Sequence, residues 1–135
     1  MKKANLAYVV EDDPITSTIT KLLIKKNLHF KEVQTYANGQ RAFDHLLSVL
    51  EYGCDVPDLI LLDLNMPLMD GWEFLDAFAR LPLAKSVCVF ILTSSIRPED
   101  IDKATFYQQV SGYFSKPLDK RNVALMQQLF QEATC

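Results

Sequence analysis

The sequence predicts an α/β fold, a doubly wound sheet of five parallel strands with helices on both faces. Two observations predict it. Short apolar runs alternate with amphipathic stretches of helical period five times along the chain. The run Leu59–Leu62 is also continuously apolar, as a strand buried on both faces must be.

The elements follow in order. Leu6–Val10 reads as the first strand, and residues 14–27 as a helix with Pro14 in its first turn and Ile15, Ile19, Leu22 and Leu23 on one face. A weaker strand covers 30–35, and a helix over 39–51 carries Phe43, Leu46, Leu47 and Leu50 at helical spacing. After the third strand and the Asn65-Met66-Pro67 loop, a helix over 71–80 turns Phe74, Leu75 and Phe78 inward. Residues 87–92 form the fourth strand, 98–108 the fourth helix, 112–115 the fifth strand and 119–131 the closing helix. There is no repeat, linker or low-complexity segment, so residues 1–135 read as a single domain. Little sequence follows Lys116 beyond the last helix. No output domain is expected, and any signal is expected to pass through another molecule.

Composition narrows the function. The chain is 49% hydrophobic and 23% charged, an ordinary globular balance. The net charge of −3, with Lys and Arg spread along the chain, provides no basic face for direct nucleic-acid binding. The apolar runs fall far short of the ~20 residues a membrane span needs. The apolar stretch after Met1-Lys2-Lys3 is interrupted by Asn5 and stopped by Glu11-Asp12-Asp13, so it does not read as a signal peptide. Cys54, Cys88 and Cys135 make no metal or redox motif, and Cys88 reads as a small buried hydrophobe. A cytoplasmic location follows as the expectation. His29 and His45 lie far from the acidic clusters in sequence and are assigned no chemistry.

Polar residues gather where the strands end. The first strand runs into Glu11-Asp12-Asp13, the third into Asp63, the fourth into Thr93-Ser94-Ser95 and the fifth into Ser115-Lys116-Pro117. In an open parallel sheet, groups at the carboxyl ends of neighbouring strands share one cleft. Clustered carboxylates repel and need a cation or a raised pKa at neutral pH, and Mg2+ suits oxygen ligands while keeping positions open for phosphoryl oxygens. A carboxylate in line with phosphorus can attack to give an acyl phosphate, while a metal, the Lys116 ammonium and the Thr93 hydroxyl offset charge on the phosphoryl oxygens. Taken singly, each group has a plainer role: Asp13 a helix cap, Lys116 a surface lysine, Tyr113 a half-buried strand aromatic. Met66, Met69, Trp72 and Phe74 read as packing.

Four segments together resemble the signatures of bacterial response-regulator receiver domains. They are Tyr8-Val9-Val10-Glu11-Asp12-Asp13-Pro14, the block from Asp58 through Asp63 to Gly71, Phe90-Ile91-Leu92-Thr93-Ser94-Ser95, and Gly112-Tyr113-Phe114-Ser115-Lys116-Pro117. The resemblance covers the whole chain and implies the flavodoxin-like receiver fold, with strand order 2-1-3-4-5. It implies that Asp63 is the phosphoacceptor, and that Glu11 (through water), Asp12, Asp63 and the backbone carbonyl of Asn65 hold Mg2+. It further implies that Thr93 and Lys116 assist transfer, that Thr93 and Tyr113 form the switch, and that the peptide before Pro117 is cis. Asp13 falls outside the site. Glu11 stands where the family more often has Asp, and residues 48–58 run longer than in minimal receivers. That length is similar to small regulators accompanying phytochrome-type or other hybrid kinases.

The function implied is a stand-alone response regulator phosphorylated by a sensor histidine kinase. Its fourth helix, fifth strand and fifth helix would bind a downstream protein or form a homodimer. The alternative is a phosphorelay intermediate that hands the phosphoryl group to a histidine phosphotransfer protein. A haloacid-dehalogenase-type phosphatase is set aside, because its second acid, two residues after the nucleophile, is Asn65 here. The protein is therefore expected to be a phosphoacceptor rather than an enzyme acting on a separate substrate.

Overall fold

In the computed structural model, residues 6–83 and 85–134 are described; Met1, Lys2, Lys3, Asn5 and Cys135 lie outside the described residues. The strands are β1 (Leu6–Val10), β2 (Glu32–Tyr36), β3 (Leu59–Leu62), β4 (Cys88–Thr93) and β5 (Val110–Ser115). They alternate with α1 (Pro14–Asn27), α2 (Gly39–Tyr52), α3 (Gly71–Phe78), α4 (Pro98–Ala104) and α5 (Lys120–Thr134). All neighbouring strands pair parallel, in the order β2-β1-β3-β4-β5. The predicted order and alternation are those observed.

Period-two alternation along the inner strands divides the core into two layers. Tyr8, Val10, Ile60, Leu62, Val89 and Ile91 face one side, where α2 contributes Ala42, Leu46 and Val49 and α3 contributes Phe74, Leu75 and Phe78. Ala7, Val9, Leu59, Leu61, Phe90 and Leu92 face the other, against Ile24 of α1 and Val123, Met126 and Phe130 of α5. Cys88 is buried in this second layer, as read from its apolar run. Met66, Met69 and Trp72 pack against the first layer and Phe74 lies within it, which agrees with their reading as packing.

Short polar side chains set the helix starts by accepting from first-turn amides that have no helical partner. Asp13 takes the Thr16 amide at 3.2 Å, Asn38 the Arg41 amide at 2.9 Å and Asp119 the Asn122 amide at 2.8 Å. Asp70 and Glu73 close a reciprocal capping box on α3 at 2.9 and 3.0 Å. At its other end α2 stops on Gly53, whose φ of 70° is the left-handed turn that glycine adopts without steric cost.

Several expectations need correction. The face assigned to α1 is turned outward: Ile15, Ile19 and Leu22 are 71%, 52% and 62% exposed, while Ser17, Thr20 and Ile24 are buried. Size decides this. Small side chains let α1 lie close to the sheet, and only Leu23 of the predicted set packs, in part, on the core. On α2, Leu47 is likewise exposed, and Ala42 and Val49 take the inner positions with Leu46. β2 begins at Glu32, because Phe30 leaves the ladder to pack on the Phe130 ring at 5.3 Å. β4 includes Thr93, which pairs with Ser115.

β5 begins at Val110, two residues early. Register runs Val89↔Val110 and then Phe90↔Gly112, so Ser111 is the extra residue of a bulge that hides the strand's period. α3 and α4 end early in tightened turns, with Leu81 bonding back to Phe78 and Phe106 to Lys103. Beyond α4, Tyr107 is drawn away to stack on Trp72 at 5.7 Å and to donate to Asp76 at 2.7 Å.

Gly71 has the tightest demand near the strand ends. A Cβ there would lie 2.6 Å from the Asp63 carbonyl oxygen and 2.8 Å from the Leu64 Cα, both backbone atoms. Gly71→Ala is therefore expected to lower stability by about 1–3 kcal/mol, the usual range for overpacking. Urea unfolding measures it, and an unchanged midpoint would show that the loop from β3 to α3 yields freely.

Candidate functional site

The ladder does not stop where the strands do. The Glu11 amide donates to the Tyr36 carbonyl at 2.9 Å, the Asp63 amide to the Val10 carbonyl at 3.0 Å and the Lys116 amide to the Thr93 carbonyl at 2.8 Å. Each of these residues stands one place past its strand, fixed by backbone bonding to the neighbouring strand. Strand order then brings the ends of β1, β3, β4 and β5 side by side.

The side chains converge accordingly. One ligand oxygen from each of Glu11, Asp12 and Asp63 can be chosen so that all three lie within 4.8 Å of one another. Glu11 and Asp63 are buried, and Asp12 is exposed. The Lys116 ammonium donates to Asp63 Oδ2 at 3.0 Å and pairs with Glu11 Oε1. The other Glu11 oxygen accepts the Asp13 amide at 3.1 Å, and Asp63 Oδ1 accepts the Asn65 amide at 3.3 Å. Three hard oxygen donors at this spacing, one of them open to solvent, fit a small divalent cation. Asp13 caps α1 with its side chain and meets the group through its amide, which donates to Glu11.

Thr93 is fully buried at the end of β4, and its hydroxyl oxygen accepts the Ser95 amide at 3.4 Å. On the adjacent strand, the half-buried Tyr113 donates its hydroxyl to the Ser95 carbonyl at 3.0 Å. The peptide between Lys116 and Pro117 is cis. All seven residues singled out from the sequence thus lie at this edge of the sheet. Glu11, Asp12, Asp63 and Lys116 form one cluster, Asn65 is tied to it through its amide, and Thr93 and Tyr113 meet through Ser95.

Electrostatics follow from burial. Desolvation pushes the Glu11 carboxyl up to about 7, with the nearby Asp63 charge adding and Lys116 and the Asp13 amide opposing. Burial works against the Lys116 ammonium, but hydrogen bonds and attraction from Glu11 and Asp63 outweigh it and hold its pKa above the ordinary lysine value.

A cavity of about 770 Å³ opens beside the acids, between the start of α1, the end of β2 and α2. His45, read from the sequence as remote from the acidic residues, lines this cavity together with Glu11, Asp12, Tyr36 and Arg41. Its ring packs against those of Tyr36 at 5.4 Å and Tyr8 at 5.9 Å. Sequence distance misled here because β2 lies next to β1 and carries α2 back over the first strand's end.

The response regulator receiver domain family matches residues 7–128. The chain belongs to that family. It is 31% identical over 121 residues to response regulator Rcp1 from Synechocystis sp., covering 89% of this chain and 82% of that protein. A crystal structure of a two-component response regulator from Cytophaga hutchinsonii superposes with a TM-score of 0.85 at 28% identity, over 98% of each chain. The Mn2+-bound form of Rcp1 superposes with a TM-score of 0.70 at 27% identity, over 92% of this chain and 90% of that one. The bacteriophytochrome response regulator RtBRR gives 0.78 at 25% identity, over 96% of this chain and 78% of that one. The protein is thus the receiver domain of a two-component response regulator, a phosphoacceptor signalling module rather than a conventional enzyme.

The raised Glu11 pKa has a consequence for the metal-free receiver. Unfolded, Glu11 titrates near 4.5; folded, near 7. The folded state holds the extra proton between these values, so this residue's contribution to stability is lost as pH rises through that window. Wild type is expected to lose more stability than Glu11→Gln between pH 5 and 7.5 in denaturant titrations with chelator, and equal slopes would contradict the assignment. Divalent metal at pH 7.5 should stabilise wild type more than Glu11→Gln, because the ionised carboxylate attracts a nearby cation and the amide does not.

Proposed function

We propose that this receiver accepts a phosphoryl group on Asp63 from a sensor histidine kinase, with Mg2+ bound, and that it acts as a stand-alone cytoplasmic regulator. The observation that carries the reading is the cluster itself, three carboxylates within 4.8 Å with one ammonium on two of them. Asp63 is the buried carboxylate at the centre of the edge, oriented by Lys116 on one oxygen and the Asn65 amide on the other. Its free lone pairs attack phosphorus; the new P–O bond forms as the donor's P–N bond breaks, and that electron pair stays on the donor imidazole.

The residues proposed to hold the cation are Asp12 and Asp63 directly, Glu11 through water and Asn65 through its carbonyl. When bound, Mg2+ supplies charge neutralisation on the phosphoryl oxygens. Lys116 holds a phosphoryl oxygen from the opposite side and keeps its proton, as its raised pKa favours. Thr93 turns its hydroxyl toward another oxygen, and Tyr113 on the adjacent strand moves with it. Phosphorylation adds roughly −1.5 to −2 charges at the cleft, enough to bias a packed two-state pair.

A protein donor is supported by the rim of the cleft. Ile15, Ile19 and Leu22 form an exposed stripe along α1 directly after the acidic loop, and Leu68 and Ile96, 82% and 75% exposed, stand on the loops after β3 and β4. Apolar groups spaced around a charged cleft suit a partner whose reactive histidine is ringed by its own apolar surface. The output face is proposed to be α4, β5 and α5, bound by a downstream protein or by a second copy. A histidine phosphotransfer protein could use the same Asp63 chemistry in reverse. Among the described residues, no helix is long and apolar enough to cross a membrane.

The test is direct. Acetyl phosphate with Mg2+ should add one phosphoryl mass to the wild type and none to Asp63→Asn, whose amide oxygen is a poor nucleophile. The adduct should be lost in alkali. Equal labelling of the Asn variant would overturn the reading. Asp12→Asn should weaken Mg2+ binding at least about tenfold, read by NMR titration, since it removes a direct charged ligand.

A further inference from the structure

Every polar group of Ser95 is engaged, and the partners belong to different parts of the proposed switch. Its amide donates to the Thr93 hydroxyl at 3.4 Å and its carbonyl accepts the Tyr113 hydroxyl at 3.0 Å. Its own hydroxyl donates to Asp100 Oδ2 at 2.5 Å and accepts the Arg97 amide at 3.4 Å. Asp100 lies in the first turn of α4 and is half-buried.

α4 differs from the first three helices in how it starts. α1, α2 and α3 are each capped by the side chain of the preceding residue, but Arg97 makes no such bond to α4. Arg97 does pair with Glu99 at 3.3 Å and approaches Asp100 at 3.9 Å, yet it is 68% exposed, where such pairs contribute little. The short bond from Ser95 to the Asp100 carboxylate is charge-assisted and less exposed. It is the better-shielded of the side-chain ties described between the loop after β4 and the first turn of α4.

We propose that this bond between Ser95 and Asp100 is the latch that couples the Thr93–Tyr113 pair to α4, with both as positioning residues of the switch. The proposal rests on the switch reading given above. With the latch closed, the first turn of α4 fixes the Ser95 backbone, and that backbone presents the carbonyl that holds Tyr113. A shift of Thr93 reaches the Ser95 amide and is passed through the hydroxyl to α4. A shift of α4 travels the same way in reverse, as thermodynamic coupling requires. Opening the latch leaves the chemistry at Asp63 in place and releases Tyr113 and α4 from each other.

The experiment uses the full chain with labelled tyrosine rings and backbone amides, first without phosphorylation. Ser95→Ala and Asp100→Asn are expected to move the Tyr113 ring signals in the same direction. The double variant should move them no further, because a single bond is being removed. Ser95→Thr, which keeps the hydroxyl, should remain at the wild-type position. Beryllofluoride, whose fluorines stand in for phosphoryl oxygens on Asp63, is then added. In wild type the amides of residues 98–104 should respond together with those of 11, 12 and 63. In Ser95→Ala the response at 98–104 should fall at least about twofold while the cleft response persists. Tyr113 signals unmoved in both single variants, fully additive effects in the double, or an undiminished response of α4 would each overturn the latch. A wild type whose cleft ignores beryllofluoride would instead count against phosphorylation at Asp63, and the latch would still be judged on the comparison made without it.

Discussion

The ammonium of Lys116 is the interaction on which the architecture of the cleft depends. Two nearly buried carboxylates, Glu11 and Asp63, could not share that space at neutral pH without a counter-charge, and Lys116 reaches both. Its own position is set from below by backbone bonding of Lys116 to Thr93, so the counter-charge arrives with β5. Sheet topology and site electrostatics are therefore one constraint. A strand order that separated β5 from β4 would leave the acids uncompensated. Even with Lys116 present, the cluster retains an excess of negative charge and a carboxyl displaced upward in pKa. That residual excess is what a bound divalent cation would relieve.

Much of this was legible in the sequence, for identifiable reasons. Strands buried on both faces leave continuous apolar runs, and Leu59–Leu62 marks one without ambiguity. Residues just past such strands face a common edge in any parallel sheet, so Glu11, Asp63, Thr93 and Lys116 could be grouped before any coordinates. The outward face of α1 was not legible. Helical spacing of Ile15, Ile19 and Leu22 is as regular as that of a core face, and periodicity carries no record of which side the sheet lies on. Burial of Ser17 and Thr20 in their place reflects close approach of α1 to the sheet, a tertiary property. The Ser111 bulge and the early end of α4 were hidden for the same kind of reason. One shifts the strand period by a residue, and the other depends on Tyr107 finding Trp72 and Asp76 on a different helix.

The cleft and α4 differ in how firmly they are held. Glu11, Asp63 and Lys116 are fixed by backbone hydrogen bonds that continue the sheet ladder, where local opening is costly. The loop after β4 and the short α4 are held by side-chain bonds, several of them partly exposed. Under the proposed function, a rigid acceptor beside a lightly tethered helix is the distribution of stability that signalling needs. Phosphoryl transfer requires fixed geometry, whereas a readable change requires an element with two accessible arrangements.

The stack of Trp72 on Tyr107 turns this distribution into something optical. Trp72 is the single tryptophan of the chain, and it carries the Lys103 ammonium 4.6 Å from its ring centroid. Its emission thus originates at the seam between α3 and the far end of α4, with an ammonium from α4 on the ring and a phenol from the following loop beside it. The intrinsic fluorescence of this protein is accordingly a gauge of α4's C-terminal end, and a receiver with its tryptophan elsewhere would have no such built-in dye.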